Sequence, residues 1–143
     1  MKKILALLVL LFIQLSISAQ TSDSAIAQIT ETIMNYIDGT ANGEPEKLRK
    51  AFHPDFNLYA VSDKDSLIIR SGEKYISNIK PGEKSNRLGR IISIDVENNA
   101  AMAKAEIVIP NWRIFTDYFL LLKYQGSWKI VQKSYTWRAY PKN

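Results

Sequence analysis

The stretch that decides the fold is Arg113 to Trp137, R-I-F-T-D-Y-F-L-L-L-K-Y-Q-G-S-W-K-I-V-Q-K-S-Y-T-W. Two long runs rich in β-branched and aromatic residues flank Gln125-Gly126-Ser127, which reads as a β-hairpin near the C-terminus. Asp117 falls between Phe115 and Phe119 on the strand alternation. If that face is buried, a carboxyl group is buried with it, and burial without partners is costly. On the opposite parity stand Tyr118, Leu120, Leu122 and Tyr124, an apolar set for a solvated sheet, which points to a covered face and hence a homodimer.

Working outward, Leu88–Glu97 and Ala100–Ile109 read as a second hairpin about Asn98-Asn99, with Ile92, Ile94 and Val96 opposite Ala103, Ala105, Ile107 and Ile109. Upstream, Thr21–Asp38 has helical spacing in Ile26, Ile29, Ile33, Tyr36 and Ile37, with Ser22, Asp23 and Ser24 as candidate N-caps and Gly39 at its C-terminal end. Tyr36 lies on the apolar stripe, so its hydroxyl needs a buried partner. Asn42-Gly43 makes a turn and Pro45 opens a short second helix with Leu48, Ala51 and Phe52 on one face, stopped by His53-Pro54-Asp55. Phe56–Val61 and Ser66–Arg70 read as strands. Ser71-Gly72 starts a short helix carrying Tyr75, Ile76 and Ile79, and Lys80–Asn86 is a polar loop. Helices segregated from a run of antiparallel strands make an α+β architecture.

Met1-Lys2-Lys3, the apolar run Ile4–Ile13 and Ser16-Ile17-Ser18-Ala19 have the order of a secretory signal peptide. Cleavage is expected between Ala19 and Gln20, with a cut one residue earlier as the alternative. The apolar run is short for a membrane anchor, so residues 20–143 are expected as a single exported domain, periplasmic or secreted, without stable membrane insertion. Nineteen basic residues less Lys2 and Lys3 leave 17 against 14 acidic, or +3, and they are scattered, which argues against nucleic acid. The chain has no cysteine and one histidine, which excludes disulfides and thiolate chemistry and makes a protein-built metal site improbable. No cofactor is implied.

Phe52-His53-Pro54, Arg90 to Val96, Phe115-Thr116-Asp117-Tyr118, Leu121-Leu122-Lys123, Gly126, Trp128 to Val131 and Lys133 together resemble the nuclear transport factor 2-like superfamily, in the branch named "putative lumazine-binding". The resemblance covers nearly all of residues 20–143. It implies a cone: a strongly bent, mostly antiparallel sheet wrapped around an N-terminal helix pair plus a short helix, with a pocket at the wide end. In the ketosteroid isomerases of that superfamily a Tyr and a protonated Asp form an oxyanion hole while a second Asp acts as base. The resemblance places Tyr36, seven residues before Gly43, and Asp117 at the first two positions. The base falls on or near Ala60, which has no acid to offer.

The sequence reading is therefore an exported small-molecule-binding protein for an apolar or aromatic ligand, leaning away from an enzyme. Its expected ligand-binding residues are Tyr36, Leu58, Tyr75, Trp112, Phe115, Asp117 and Phe119. Two alternatives stand beside it. One is an isomerase, cyclase or dehydratase using Tyr36 and Asp117, with His53 or Asp55 carrying protons; the other is a protein-binding accessory domain. Asp117 can equally be a structural carboxylate satisfied by Tyr36, a backbone amide or an Arg. His53 suits a helix C-terminus, where its charge complements the dipole. Trp128, Tyr135 and Trp137 join Trp112, Phe115 and Tyr118 as aromatics that stack on a planar heterocycle or fill the core. The cations Lys80, Lys84, Arg87 and Arg90 form either an anion clamp or a solvated loop.

Overall fold

The computed structural model describes residues 24–141. The expected signal peptide and cleavage site lie outside the described residues. Helix α1 spans residues 24–42, α2 Pro45–Ala51 and α3 Gly72–Ser77; the strands are β1 Phe52–Val61, β2 Leu67–Ser71, β3 Leu88–Glu97, β4 Ala100–Ile109, β5 Arg113–Tyr124 and β6 Ser127–Ala139. The six strands form one curled, unclosed sheet in the order β2-β1-β6-β5-β4-β3. Only the β1–β6 pair, one strand in from the β2 edge, is parallel. No described helix is long and apolar enough to cross a membrane.

The expected helix end at Gly39 is corrected: α1 runs through it to residue 42. Gly43 has φ of +64°, and the Glu44 amide donates back to the Gly39 carbonyl at 2.9 Å, the six-to-one bond of a left-handed helix terminus. Gly39 serves packing instead. A side chain there would collide with Leu48 of α2, so its absence lets the two helices touch. The 80s loop satisfies two more α1-terminal carbonyls, Gly82 N–H to Gly43 at 2.8 Å and Ser85 N–H to Ala41 at 2.7 Å.

β1 also starts earlier than expected. Phe52 already has extended backbone (φ −92°, ψ 149°), and His53-Pro54-Asp55 belong to the strand rather than to a stop after the helix. Pro54 disfavours helical backbone at His53, and a register shift between Phe52 and Asn57 against β6 accommodates the proline's missing donor.

The core lies between α1 and the concave face of the sheet. Ile29, Ile33 and Ile37 pack with Ala101, Ala103, Ala105, Ile107, Phe119, Leu121, Trp128 and Ile130, all buried. The alanines of β4 let the helix approach, and each fully buried Ile or Leu contributes about 1.5–3 kcal/mol. Strict alternation fails at two bulges. In β3 the pairing jumps from Ile91–Ala105 to Ser93–Lys104, which turns Ile92 outward at 46% exposure and corrects its expected core position. In β6 it jumps from Leu121–Ile130 to Leu120–Gln132, leaving Val131 as the inserted residue. The second bulge determines the site.

Candidate functional site: a pocket over a buried Tyr–Asp–Lys cluster

Before the β6 bulge, Trp128 and Ile130 face inward, so unbroken alternation sends Gln132 in and Lys133 out. The inserted Val131 reverses this: Lys133 is buried while Gln132 is exposed. Lys133 thereby meets Asp117 from β5 and Tyr36 from α1, at 5%, 1% and 2% exposure respectively. The Tyr36 hydroxyl donates to Asp117 Oδ2 at 2.6 Å. Lys133 Nζ donates to the same oxygen at 2.8 Å and to Tyr36 Oη at 2.7 Å. Asp117 Oδ1 is buried and has no partner among the described residues.

Packing fixes this cluster from all sides. The Tyr36 ring is held edge-on by Phe52 (centroids 5.8 Å) and Phe119 (5.2 Å). Lys133 Nζ stands over the rings of Tyr36, Tyr135 and Tyr75 at 4.7, 5.1 and 5.6 Å, which offsets part of the cost of burying the ammonium. Burial raises the Tyr36 hydroxyl well above the ordinary tyrosine range, and the negative charge of Asp117 adds to it, so Tyr36 keeps its proton and acts as a donor.

Above the cluster opens a cavity of about 370 Å³. Its buried end is Tyr36, Asp117 and Lys133. Leu58, Ile68, Tyr75, Ile107, Ile109, Phe115 and Tyr135 form the walls, and Arg70, Arg87, Trp112, Arg113 and Trp137 complete the lining. Phe115, Tyr135 and Trp137 contact one another at centroid distances of 6.2–6.4 Å. The Arg113 guanidinium is stacked on both Trp112 (4.9 Å) and Trp137 (5.0 Å).

The structure thus brings together Tyr36, Leu58, Tyr75, Trp112, Phe115 and Asp117 of the residues read from the sequence. Phe119 does not reach the cavity; it lies in the core against Tyr36. His53 and Asp55 are elsewhere. His53 lines a separate groove with Phe52, Phe56 and Ile76, sits edge-on to Tyr124 at 5.1 Å, and accepts from the Asp55 amide at 3.2 Å. Of the four loop cations only Arg87 lines the pocket; Lys80 pairs with Glu83 at 3.2 Å and Arg90 with Glu106 at 2.8 Å. Trp128 is core, and Ala60 is buried and absent from the cavity wall. Among the described residues no three acidic or histidine side chains gather to hold a metal ion.

Sequence reasoning missed Lys133, Arg70 and Arg113 as pocket residues. Counting parity backward from Tyr135 and Trp137, rather than forward from Trp128, places Lys133 inward.

A bent sheet over an N-terminal helix, with a polar cluster under a side-chain-lined cavity, is the arrangement of the nuclear transport factor 2-like superfamily. Residues 24–136 match the family described as "Putative lumazine-binding", and the chain belongs to it. It is similar to the aldolase FrzH of Cladobotryum sp, with 26% identity over 132 residues, 88% of this chain and 97% of that protein. A nuclear transport factor 2-like protein of Methylobacillus flagellatus KT superposes with TM-score 0.71 and 29% identity, covering 81% of this chain and 94% of the other. One from Shewanella baltica OS155 superposes with TM-score 0.72 and 24% identity, covering 82% and 96%.

Proposed function

We propose that this chain is an exported binding protein for a small, planar molecule held in the β-lined pocket. The observation that carries the reading is Asp117 Oδ1, a buried carboxylate oxygen without a partner among the described residues, at the buried end of a cavity of about 370 Å³. A cavity of that size is in the range of small-ligand sites, and a buried acceptor favours a ligand N–H or O–H. Lumazines and pterins have lactam N–H groups on flat rings, so the family description and the pocket chemistry agree. The open cavity also favours a small ligand over a protein partner. Export rests on residues 1–19.

A thermal-shift series with lumazine, pterins and flavins tests the reading. Ligand at a hundred times its Kd stabilises the folded state by about 2.7 kcal/mol. Ile109→Trp, placed on the cavity wall, should abolish the shift without unfolding the protein. No response from any of these heterocycles, or a shift that survives in Ile109→Trp, would sink the proposal.

Lys133 favours a second reading, an enzyme of carbonyl chemistry. An amine beside a hydroxyl donor and a carboxylate can condense with an aldehyde or ketone. Lys133 Nζ passes a proton to Asp117 and attacks the carbonyl carbon; the former carbonyl oxygen then takes one proton from the nitrogen and one back from Asp117 and leaves as water, giving a protonated imine. The relative named as an aldolase points the same way. Borohydride reduction in the presence of an aldehyde should then fix an adduct on Lys133; an unmodified Lys133 leaves the binding reading alone.

The same proposal includes a homodimer through the outer face. Met102, Tyr118, Leu120, Leu122 and Tyr124 are 41–59% exposed there. Light scattering that returns a monomer at tens of micromolar would end that part of it.

A further inference from the structure

We propose that the pocket selects an anionic ligand, an aromatic body bearing one acidic group that the guanidinium groups of Arg70, Arg87 and Arg113 receive. This rests on the pocket-binding reading and specifies its ligand class. Four cationic side chains and one carboxylate line the cavity. Lys133 and Asp117 neutralise each other at 2.8 Å, which leaves three guanidiniums.

The contrast with the other described arginines is what decides the matter. Arg49, Arg90 and Arg138 each lie within 3.4 Å of a glutamate. Among the described residues, Arg70, Arg87 and Arg113 have no carboxylate within salt-bridge distance. The fold therefore separates its arginines into paired ones outside the pocket and unpaired ones lining it. They come from β2, from the loop before β3 and from β5, so no local sequence pattern groups them.

Gathering three like charges in a concave, partly apolar site is unfavourable in the empty protein and focuses a positive potential there. An acidic group relieves that repulsion and accepts forked N–H donors. Two of the three guanidiniums are already held. Arg113 is stacked against Trp112 and Trp137, and Arg87 Nε donates to Ser85 Oγ at 3.2 Å. Less rotamer freedom is then lost on binding. The arginines are half-buried whereas Asp117 and Lys133 are buried, so the acidic end of the ligand sits toward solvent and its donor end at Asp117.

Two dyes of one skeleton test this in the intact protein: 1-anilinonaphthalene-8-sulfonate and its neutral counterpart N-phenyl-1-naphthylamine. Fluorescence titration should give a Kd at least tenfold lower for the sulfonate at 50 mM salt. The preference should shrink at 500 mM salt, as a screened attraction must. Arg70→Ala and Arg113→Ala should each reduce it, the triple variant that adds Arg87→Ala should erase it, and Arg90→Ala, at a residue that pairs with Glu106 outside the pocket, should leave it unchanged. Circular dichroism confirms that each variant is folded. Equal affinity for the two dyes, or a preference that persists in the triple variant, overturns the anion inference alone. Failure of both dyes to bind, or binding of both undiminished in Ile109→Trp, overturns the pocket-binding reading itself.

Discussion

Removing the Lys133 ammonium is the sharpest test of the buried cluster. Lys133→Met keeps the length and apolar bulk of the side chain but deletes both hydrogen bonds from Nζ, leaving the Asp117 carboxylate with the Tyr36 hydroxyl as its single described donor. Both charged groups are at least 94% buried. An orphaned charge in such a place costs about 3–5 kcal/mol. At roughly 4 °C per kcal/mol for a domain of this length, the melting temperature should fall by about 12–20 °C. Replacing both partners, Lys133→Met with Asp117→Leu, removes the charges together. What remains is a Tyr36 hydroxyl deprived of its acceptor, worth about 1–3 kcal/mol. The double variant should thus be more stable than Lys133→Met alone, with a coupling energy of about 3 kcal/mol or more. Adding Tyr36→Phe should recover most of the rest. Urea denaturation followed by far-UV circular dichroism measures each corner of the cycle, provided the slope m is unchanged. A loss below about 1 kcal/mol in Lys133→Met, or a double variant as unstable as the sum of its singles, would refute the argument.

The remaining predictions concern pH and packing. Glu106 accepts from Arg138 at 3.0 Å and Arg90 at 2.8 Å; the Arg138 hydrogen bond is the larger cause of holding its carboxyl below 4.5. A depressed carboxyl stabilises the fold above its unfolded value and loses that contribution as pH falls through its folded value. The stability gap between wild type and Glu106→Gln, about 1 kcal/mol at most, should hold from pH 7 to 5 and shrink below 4.5; an unchanging gap counts against the pairing. Tyr36 has the opposite sense: its raised hydroxyl keeps its proton in the native state while the unfolded chain ionises near 10.0, so stability falls as pH rises above 10. Tyr36→Phe should make that alkaline slope shallower in urea midpoints, and an identical slope would contradict it. Gly39→Ala should cost about 1–3 kcal/mol by thermal denaturation despite alanine's helix preference, because its methyl meets Leu48. In a Leu48→Ala background the same change should be neutral or stabilising.

The sequence by itself determined the order of the elements, the α+β class, the bounds of β3 and β4, and the inward face of Asp117. These follow from local regularities: helical spacing along α1, alternation along the strands, and turn residues such as Gln125-Gly126, where both residues take positive φ. It also paired Tyr36 with Asp117, through resemblance rather than geometry. Tertiary structure decided what lies beside that pair. A single inserted residue, Val131, reverses the parity of β6 and brings Lys133 inside, and alternation counted from Trp128 has no means of registering it. Gly39 reads as a helix end because its actual role, contact with Leu48, depends on how two helices meet. The arginine set is the clearest case. Read along the chain, Arg70 and Arg113 look like ordinary surface cations, and Arg87 is one of four loop cations with nothing to set it apart from Lys80, Lys84 and Arg90. The three become a site because the curled sheet brings β2, β5 and the loop before β3 around one cavity, and convergence of residues so far apart in sequence is a property of the folded backbone.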